Sequence, residues 1–434
     1  MDQKSTPYLD AVARYIKENP VRFHYPGHKG ILFPLDLTEL PQTDNLFSPT
    51  GPLLDAQRLT ALAFGSDTSY FLVNGSTQGI QSAFISIFRP GDKVLVSYYS
   101  HRSVIEGFIL SGAEPVFIEE RIDRWGIPQN IRLEDVEGKI GEDIKGIVLT
   151  NPNYFGLVPE MKEIVDYAHS KGSVVIVDEA HGVHLHFNKK MPISGLDADA
   201  DVVVQSMHKM GISLTQGALI HIKGDRIDRE ALEESVKLLS TTSPSTSILV
   251  SMDLARRDLF LNGKRRLDRL IPIIDELRRE IEKIGFPVYK RPGMDRTKLT
   301  LYSIDGNRVS LDLWEKFKIQ PEMSSETYCL FIISLLDSRS TVNTLLNALK
   351  DIPVYPPGKA DIPPRYTLVQ SPRSAFLSPK DKIPVEDSAG RVSGEIITKY
   401  PPGLPLLIPG ALITLEIKEY LKSLGKTYVS VTLD

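Results

Sequence analysis

The hydrophobic residues of this chain follow two different patterns, and the change falls near residue 240. Before that point, short apolar runs rich in β-branched residues alternate with longer segments of helical periodicity. Most runs lack strict apolar–polar alternation, which is typical of strands buried on both faces of a sheet. Repeated strand–helix units of this kind predict an α/β fold with a mostly parallel sheet covered by helices. The predicted strands are 93–99, 115–119, 146–152, 173–180, 201–206 and 218–222.

Helices are predicted between and after these strands. The segment 10–19 has the pattern of a helix stopped by Pro20, and the segment 161–171 that of a helix ended by Gly172. After residue 240, the segment 247–284 predicts one long helix. This long helix ends the alternation of strands and helices.

The C-terminal third is predicted to be organised differently. Residues 286–350 have the pattern of an α+β unit of strands and two helices. Residues 351–410 hold 12 of the chain's 30 prolines, yet they are apolar enough to pack on the body of the protein. We therefore predict an N-terminal arm over 1–50, a large domain over 51–265 and a smaller C-terminal α+β domain over 266–434.

The composition narrows the classes of function. The chain has 434 residues, with 51 Lys+Arg against 55 Asp+Glu and a formal net charge of −4, so nucleic acid is not an expected partner. The single cysteine, Cys329, excludes a disulfide within the chain and a multi-cysteine metal site. It also suits a reducing cytoplasm, which is the expected location. No apolar run approaches the roughly 18 residues of a membrane-spanning helix, so no membrane association is expected.

Several common nucleotide and hydrolase motifs are missing from the sequence. No two glycines are separated by a single residue, which excludes the G-x-G-x-x-G dinucleotide fingerprint. The G-K-T at 425–427 does not complete a P-loop, because Tyr420 stands where the first glycine is needed. The motifs H-E-x-x-H and G-x-S-x-G do not occur either. The chemistry must therefore come from another set of residues.

Three polar features follow apolar strands, where open α/β sheets bind their ligands. The first is NGSTQG over 74–79, directly before an amphipathic segment. A turn of this composition at the start of a helix presents backbone N–H groups and the hydroxyls of Ser76 and Thr77 to an anion. The alternative is that one of these residues only caps the helix.

The second feature is Asp178, which ends a predicted strand in VVIVDEAHGVH (174–184). A carboxylate at this place can bind a protonated ring nitrogen or a metal ion, or cap the following loop. The nearby His181, His184 and His186 keep a metal site as an alternative, although we expect no metal.

The third feature is Lys209, which follows a strand in VVVQSMHKMG (202–211), with Ser206 and His208 just before it. Most lysines are solvated, but a lysine at the end of a buried strand can serve as a nucleophile. In chain order, a phosphate-binding turn, a carboxylate and a strand-end lysine match the needs of pyridoxal phosphate. The lysine bonds covalently to this cofactor, and the carboxylate keeps its ring nitrogen protonated.

The sequence is similar to the Orn/Lys/Arg decarboxylase family, whose members use pyridoxal phosphate on the aspartate aminotransferase fold (fold type I). It most resembles short bacterial forms without the N-terminal wing domain. The resemblance implies a mostly parallel seven-stranded sheet with helices on both faces. The stretches that carry it are FHYPGHKG (23–30), FLVNGSTQG (71–79), SHRSVIEGFILSGAEPVFI (100–118), VDEAHGVHLHF (177–187), QSMHKM (205–210), TSPSTSILVSMDLARR (242–257) and GRVSGEIITKYPPGLPLLIPG (390–410).

The resemblance also implies a role for each matching residue. Lys209 carries the cofactor and Asp178 binds the ring nitrogen. His101 and Ala180 contact the two faces of the ring, and His101 or the released Lys209 amine returns a proton. Glu322 matches by position a glutamate that lies near the distal amine of the substrate. The phosphate-binding set is Ser76, Thr77, Ser206 and His208.

The function implied by the resemblance is decarboxylation of arginine, lysine or ornithine, with a link to polyamine biosynthesis. A homodimer is expected, in which TTSPSTS (241–247) reaches the cofactor of the partner subunit. One alternative is another reaction of the same cofactor, by an aminotransferase, aldolase or lyase, in which Arg365 or Arg373 binds the α-carboxylate. The other is a non-catalytic cofactor-binding protein. Relatives carry acidic residues where this chain has Ala411 and Ser374, and these two differences bear on the substrate.

Overall fold

The centre of the molecule is a twisted sheet. The computed structural model describes residues 1–141, 143–399 and 403–433. Within these ranges, seven strands form the sheet in the order β1-β7-β6-β5-β4-β2-β3. The strands are β1 (Thr68–Leu72), β2 (Lys93–Ser97), β3 (Glu114–Ile118), β4 (Ile144–Thr150), β5 (Val174–Asp178), β6 (Val202–Ser206) and β7 (Ala218–Ile222).

The direction of the strands decides where polar side chains gather. Strand β7 is antiparallel to its neighbours β1 and β6, and the other neighbouring pairs are parallel. The carboxyl ends of β1 to β6 therefore meet at one edge of the sheet. All six predicted strands are present, with ends shifted by at most two residues. The sequence pattern missed β1, because Thr68 and Ser69 weaken its apolar run.

Helices cover both faces of this sheet. Side chains of one strand alternate between the faces, so that Val175 and Val177 join one core while Ile176 joins the other. Helices α1, α2, α6 and α9 pack on the first face, and α3, α4 and α8 pack on the second. The helices of this part are α1 (Pro7–Lys17), α2 (Pro52–Phe64), α3 (Gly75–Ile87), α4 (Arg102–Ser111), α5 (Leu133–Glu137), α6 (Met161–Ser170), α7 (Met207–Met210), α8 (Arg229–Leu238) and α9 (Thr246–Lys283).

The predicted helices agree with the structure to within a few residues. Helix α1 begins three residues earlier than predicted, at Pro7, whose fixed φ suits the first turn of a helix. The long helix α9 runs over 38 residues and contains Pro272 without ending there. In the described ranges, no helix combines the length and the apolar character needed to cross a membrane.

The segment after α9 forms the predicted α+β unit with a core of its own. Its apolar side chains, among them Leu299 and Leu345, pack together and against Leu277 near the end of α9. The elements are β8 (Lys298–Tyr302), α10 (Gly306–Phe317), β9 (Met323–Ser324), β10 (Tyr328–Ile332) and α11 (Arg339–Lys350).

The proline-rich segment and the C-terminus pack on the large sheet. Leu407 and Ile413 are buried in the same core as Phe108 of α4, which confirms that this apolar segment docks on the body. Tyr400, Pro401 and Pro402 of the predicted YPPG motif lie outside the described residues. The elements are α12 (Pro372–Leu377), β11 (Lys380–Pro384), β12 (Ile397–Lys399), β13 (Leu404–Leu407), α13 (Leu415–Ser423) and β14 (Tyr428–Thr432).

The predicted division of the chain between 265 and 266 falls inside α9. The α+β unit after this helix has its own core, whereas the last part of the chain shares a core with the large sheet. We keep the boundaries 1–50, 51–265 and 266–434 as a proposal.

Candidate active site

The amino end of α3 lies at the carboxyl edge of the sheet and is built to face an anion. The helix begins at Gly75, whose φ of +73° favours glycine, and a Cβ there would meet no atom of the described chain within 4 Å. Asn74 is the cap residue and makes no side-chain capping bond. Ser76 and Thr77 lie in the first turn of α3, where N–H groups have no partner within the helix and can bind an anion. The N–H of Gly75 already donates to the carbonyl oxygen of Gln216 at 2.9 Å, and the Ser206 hydroxyl donates to Ser76 Oγ at 3.1 Å.

Lys209 is held in the short helix α7, directly after β6. Its Nζ lies 3.1 Å from His181 Nε2. Burial lowers the pKa of Lys209, and the positive charge of Lys298 lowers it further, although the Asp178 and Glu322 carboxylates oppose this. A lysine amine with a lowered pKa is more often neutral, and the neutral amine is the nucleophile.

Asp178 and His101 face the same space as this lysine. The Asp178 carboxylate is buried at the end of β5, and its Oδ1 accepts a hydrogen bond from the backbone N–H of Ala180 at 3.1 Å. His101 caps α4, with Nδ1 accepting from the backbone N–H of Ser103 at 3.2 Å. Burial lowers the pKa of His101, while the Asp178 carboxylate opposes this shift. The charges of Asp178 and Lys209 both act on His101, so the structure brings the three predicted residues together.

The remaining predicted residues lie around this group. His208 Nδ1 is 3.0 Å from the carbonyl oxygen of Gly217, so this nitrogen holds the backbone. Ala180 is buried beside Asp178, and Thr77 is half-buried in the first turn of α3. Glu322 is exposed, and its negative charge acts to raise the pKa of Lys209.

The three histidines after β5 have three different partners. His181 contacts Lys209, His184 Nε2 lies 3.3 Å from Asp295 Oδ2, and His186 Nδ1 lies 2.8 Å from an oxygen of Asp197. Their side chains diverge, so the geometry does not favour the alternative of a metal site formed by these histidines.

A fully buried set of charged residues lies behind Lys209, and we call His184, Asp295 and Lys298 the closed cluster. Lys298 Nζ is 3.3 Å from Asp295 Oδ2 and 3.5 Å from the sulfur of Met210, the residue after Lys209. Burial alone would raise the pKa of Asp295, but the charges of Lys298 and His184 hold it below its ordinary range. The sequence analysis missed Asp295 and Lys298, because charged residues three apart in a loop are typical of the surface.

A network of hydrogen bonds to the Glu179 carboxyl holds the end of β5 in place. The backbone N–H of Gly195 and the amides of Gln205 and Asn151 donate to its carboxyl at 2.5, 2.8 and 3.2 Å. Burial raises the pKa of Glu179 to about 8 against the effect of these donors. This network holds the backbone next to Asp178. In the sequence, the only indication of a role for Glu179 was its place directly after Asp178.

The two positions at which this chain lacks an acidic residue of its relatives, Ala411 and Ser374, lie in the C-terminal segment. Ala411 is fully buried in the core between the C-terminal segment and the sheet, and Ser374 is exposed on α12. Arg365 binds the Glu119 carboxylate, and Arg373 donates to the carbonyl oxygen of Ile109 at 3.0 Å. Both arginines are thus engaged elsewhere, and no contact favours the aminotransferase alternative.

The set of donors and acceptors fits an aromatic cofactor that carries a phosphate, a basic ring nitrogen and an electrophilic carbon. The first turn of α3 and the hydroxyls of Ser76 and Ser206 suit the phosphate, and the Asp178 carboxylate suits a protonated ring nitrogen. The amine of Lys209 suits the electrophilic carbon. Nδ1 of the buried His181 has no hydrogen-bond partner in the described part of the chain, so a polar ligand can still be bound there.

Comparisons with known proteins agree with this arrangement. Family models described as Orn/Lys/Arg decarboxylase, major domain, and Orn/Lys/Arg decarboxylase, C-terminal domain, match residues 6–324 and 360–429. The chain is 35% identical to an arginine decarboxylase of Bacillus anthracis, over 97% of this chain and 93% of that protein.

Solved structures share the fold. The constitutive lysine decarboxylase of E. coli superimposes with a TM-score of 0.84 at 21% identity, over 99% of this chain and 82% of that one. A structure of SPT with PLP superimposes with a TM-score of 0.60 at 16% identity, over 81% of this chain and 85% of that one. The prediction of fold type I, with a mostly parallel sheet and a smaller C-terminal part, is confirmed.

Proposed function

This chain belongs to the Orn/Lys/Arg decarboxylase family and is a decarboxylase, and from that premise we propose that it releases carbon dioxide from arginine with pyridoxal phosphate as its cofactor. The observation that carries the proposal is the half-buried Lys209 amine, whose Nζ lies 3.1 Å from His181 Nε2 and on which the Asp178 carboxylate acts electrostatically. A lysine and a carboxylate beside an anion-binding helix end are the groups by which a protein binds this cofactor.

The residues around the site have separate tasks in this proposal. When bound, pyridoxal phosphate accepts the electron pair of the bond to the departing carboxylate. The first turn of α3 and the Ser76 and Ser206 hydroxyls would hold the phosphate, and the Asp178 carboxylate would accept a hydrogen bond from the protonated ring nitrogen. Lys209 would provide the amine that binds the cofactor.

Proton return to the product carbon needs a donor close to Lys209. His101 and the Lys209 amine are the two predicted donors, and His101 also packs against the ring. Burial lowers the pKa values of both groups, so neither is locked in its charged form. General acid catalysis of this kind accelerates reactions by about 10²–10⁴-fold.

Arginine is proposed ahead of lysine and ornithine because of the relatives. The Bacillus anthracis relative is named arginine decarboxylase, and it matches nearly the whole of this chain. Glu322 stays the candidate that the resemblance implies for the cationic end of the substrate, since its negative charge acts on Lys209, and the buried Glu120 is a second candidate. A cytoplasmic location and a place in polyamine biosynthesis stay predictions.

We further propose that the chain acts as a homodimer. The N-terminal arm carries several strongly exposed apolar side chains close together in sequence, among them Phe23 at 93% and Ile31 at 87%. Apolar patches of this kind on a folded protein mark interaction surfaces, and a second copy of the chain is the commonest partner. The segment 241–247, exposed over 241–243 just before α9, is proposed to reach the site of the partner subunit.

The dimer is tested by replacing an exposed side chain of the arm. Phe23→Asp places a charge in the proposed interface, and we expect the mass in solution to fall from that of a dimer to that of a monomer. Replacement of an exposed residue elsewhere, Leu415→Asp, serves as the control. A wild-type protein that is an active monomer would rule out the dimer.

The function is tested with purified protein, pyridoxal phosphate and four amino acids: arginine, lysine, ornithine and a neutral one. Carbon dioxide and amine are both measured, for the wild type and for Lys209→Ala. We expect carbon dioxide and the matching amine from arginine, and neither from the variant. Binding of the cofactor without carbon dioxide from any basic amino acid would contradict the proposal and favour a different reaction of the same cofactor.

A further inference from the structure

A cavity of about 120 Å³ lies between the sheet and the C-terminal segment. Ser97 at the end of β2, Glu120 after β3 and Thr150 at the end of β4 form one wall. Lys399 and Leu406 contribute to the opposite wall. The cavity thus opens at the same edge of the sheet as the candidate active site.

Two hydrogen-bond acceptors on the walls lack a donor. Glu120 Oε2 and Asn130 Oδ1 are buried and have no hydrogen-bond partner within residues 1–141, 143–399 and 403–433. The hydroxyls of Thr150 and Tyr420, which can donate or accept, have no partner there either. Glu120 is only 8% exposed. Buried acceptors are costly unless an occupant supplies donors, so an occupant with N–H or O–H groups would satisfy Glu120 and Asn130.

The charge of the cavity selects the kind of donor. Lys399 is already paired with the Asp361 carboxylate, so the cation on the wall is neutralised. An anionic ligand would meet the Glu120 carboxyl without a free cation to balance it. Phe155 and Leu157 give the cavity apolar walls as well, which suit a methylene chain. An alkylammonium or guanidinium group on such a chain meets all three conditions.

The cavity and the reactive amine are separated by one aromatic side chain. Tyr154 lines the cavity, and its ring centroid is 4.5 Å from that of His181 and 6.0 Å from Lys209 Nζ. A chain bound near Lys209 can therefore place its far end close to Glu120. Glu322, by contrast, is exposed and does not line the cavity.

We propose that this cavity binds the cationic end group of a basic amino acid or of its amine product, with the Glu120 carboxylate as the counter-ion. The source of this cation rests on the proposed function. The shared chemistry is an ammonium or guanidinium group, carried either by substrate in the active site or by free amine.

Binding of a cation beside Glu120 should release a proton, and this release can be measured without following the reaction. Burial raises the pKa of Glu120 to about 7, so this carboxyl is partly protonated at neutral pH in the free protein. A bound cation stabilises the carboxylate and releases this proton. The other groups that act on or face this carboxyl are Ser97, Asp135, Arg365, Tyr99 and the Asp361–Lys399 pair.

The first test compares Glu120→Gln with Glu119→Gln, the same substitution at the adjacent exposed residue. For Glu120→Gln we expect the KM for arginine to rise about ten- to hundredfold, because a charged hydrogen bond is lost, while kcat changes less than about threefold. Glu119→Gln should leave both constants close to those of the wild type. A milder variant, Thr150→Val, should raise KM in the same direction if Glu120→Gln does not fold.

The second test measures binding of the amine product by calorimetry in two buffers with different heats of ionisation. We expect uptake of a proton by the buffer with the wild type and none with Glu120→Gln. Amine that competes with arginine identifies the end of the substrate as the occupant, and amine that binds without competition identifies a separate site for free cation.

An unchanged KM and an unchanged proton count in Glu120→Gln would overturn the proposal. A large rise of KM in Glu322→Gln alone would overturn it as well, in favour of the exposed carboxylate. Failure of the proposed function has a different signature, since the wild type would then release no carbon dioxide from any basic amino acid. The calorimetric test of the cavity does not depend on that release.

Discussion

Two groups of buried charged residues meet at α7, and they differ in how their charges are balanced. In the open cluster, Lys209 and Asp178 face a shared space. In the closed cluster, Lys298 and Asp295 are 3.3 Å apart and fully buried. Buried charges are stable when they pair with each other, and the charges of Lys298 and Asp295 in the closed cluster balance within the chain. The charged groups of the open cluster remain available to a ligand. We therefore propose that Lys209 takes part in the chemistry, whereas Lys298 stabilises the fold.

The largest effect is expected at the reactive lysine. Lys209→Ala should reduce decarboxylation by more than about 10²–10⁴-fold, because in the proposed function this residue both holds the cofactor and donates a proton. The stability of the protein should change little, since Lys209 has no carboxylate within salt-bridge distance in the described residues. Steady-state rates and thermal unfolding measure both. Lys264→Ala, on the exposed face of α9, is the control and should remain active.

The closed cluster should respond in the opposite way. Asp295→Asn leaves the buried Lys298 without its counter-ion, and the free energy of unfolding should fall by about 3–5 kcal/mol. Asp275→Asn removes the partner of Arg296 on the surface and should cost at most about 1 kcal/mol. Denaturant titration measures both values. Equal losses in the two variants would show that the closed cluster is not structural.

Replacing the carboxylate of the open cluster should weaken the cofactor rather than the fold. In the proposed function, Asp178→Asn removes a charged hydrogen bond to the ring nitrogen, so the affinity for pyridoxal phosphate should fall about ten- to hundredfold. Absorbance titration of the apoenzyme measures this affinity. Asp197→Asn, beside the half-exposed His186, is the control. Normal cofactor affinity in Asp178→Asn would mean that this carboxylate has another role.

The smallest expected change in activity comes from the electrostatic effect of the closed cluster on Lys209. The positive charge of Lys298 lowers the pKa of Lys209, which is already lowered by burial. Lys298→Met removes this charge and should raise the pKa of Lys209, so a smaller fraction of the amine is neutral at a given pH. The variant also leaves the buried Asp295 without its counter-ion and should lose stability as Asp295→Asn does, so the pH titration is carried out at a temperature at which the variant is folded. The pH at which the apoenzyme begins to bind cofactor should move upward, and circular dichroism should confirm that the variant is folded. A downward move would contradict the assigned direction.

The fold could be predicted from the sequence further than the site could. The apolar runs at 174–178 and 202–206 are local patterns, and the strands β5 and β6 follow them closely. Strand β1 was missed because two of its five residues are polar. Lys209 and Asp178 were found because each follows an apolar strand, a signal that lies within about ten residues of chain.

The missed residues depend on contacts between distant parts of the chain. Lys298 reaches the site because β8 of the α+β unit brings it against Met210, and no pattern near residue 298 shows this. Glu120 is buried beside a cavity whose walls come from distant parts of the chain, the C-terminal segment among them. Burial of a charged residue is set by tertiary packing, and composition or periodicity does not report it.

The most direct test of the account asks which lysine carries the cofactor. The protein is loaded with pyridoxal phosphate, and borohydride fixes the bond between the lysine nitrogen and the aldehyde carbon. The protein is then digested, and mass spectrometry locates the added group. The account predicts that the group lies on Lys209 and that Lys298 is unmodified. Modification of Lys298, or of neither lysine in a protein that still releases carbon dioxide, would contradict it.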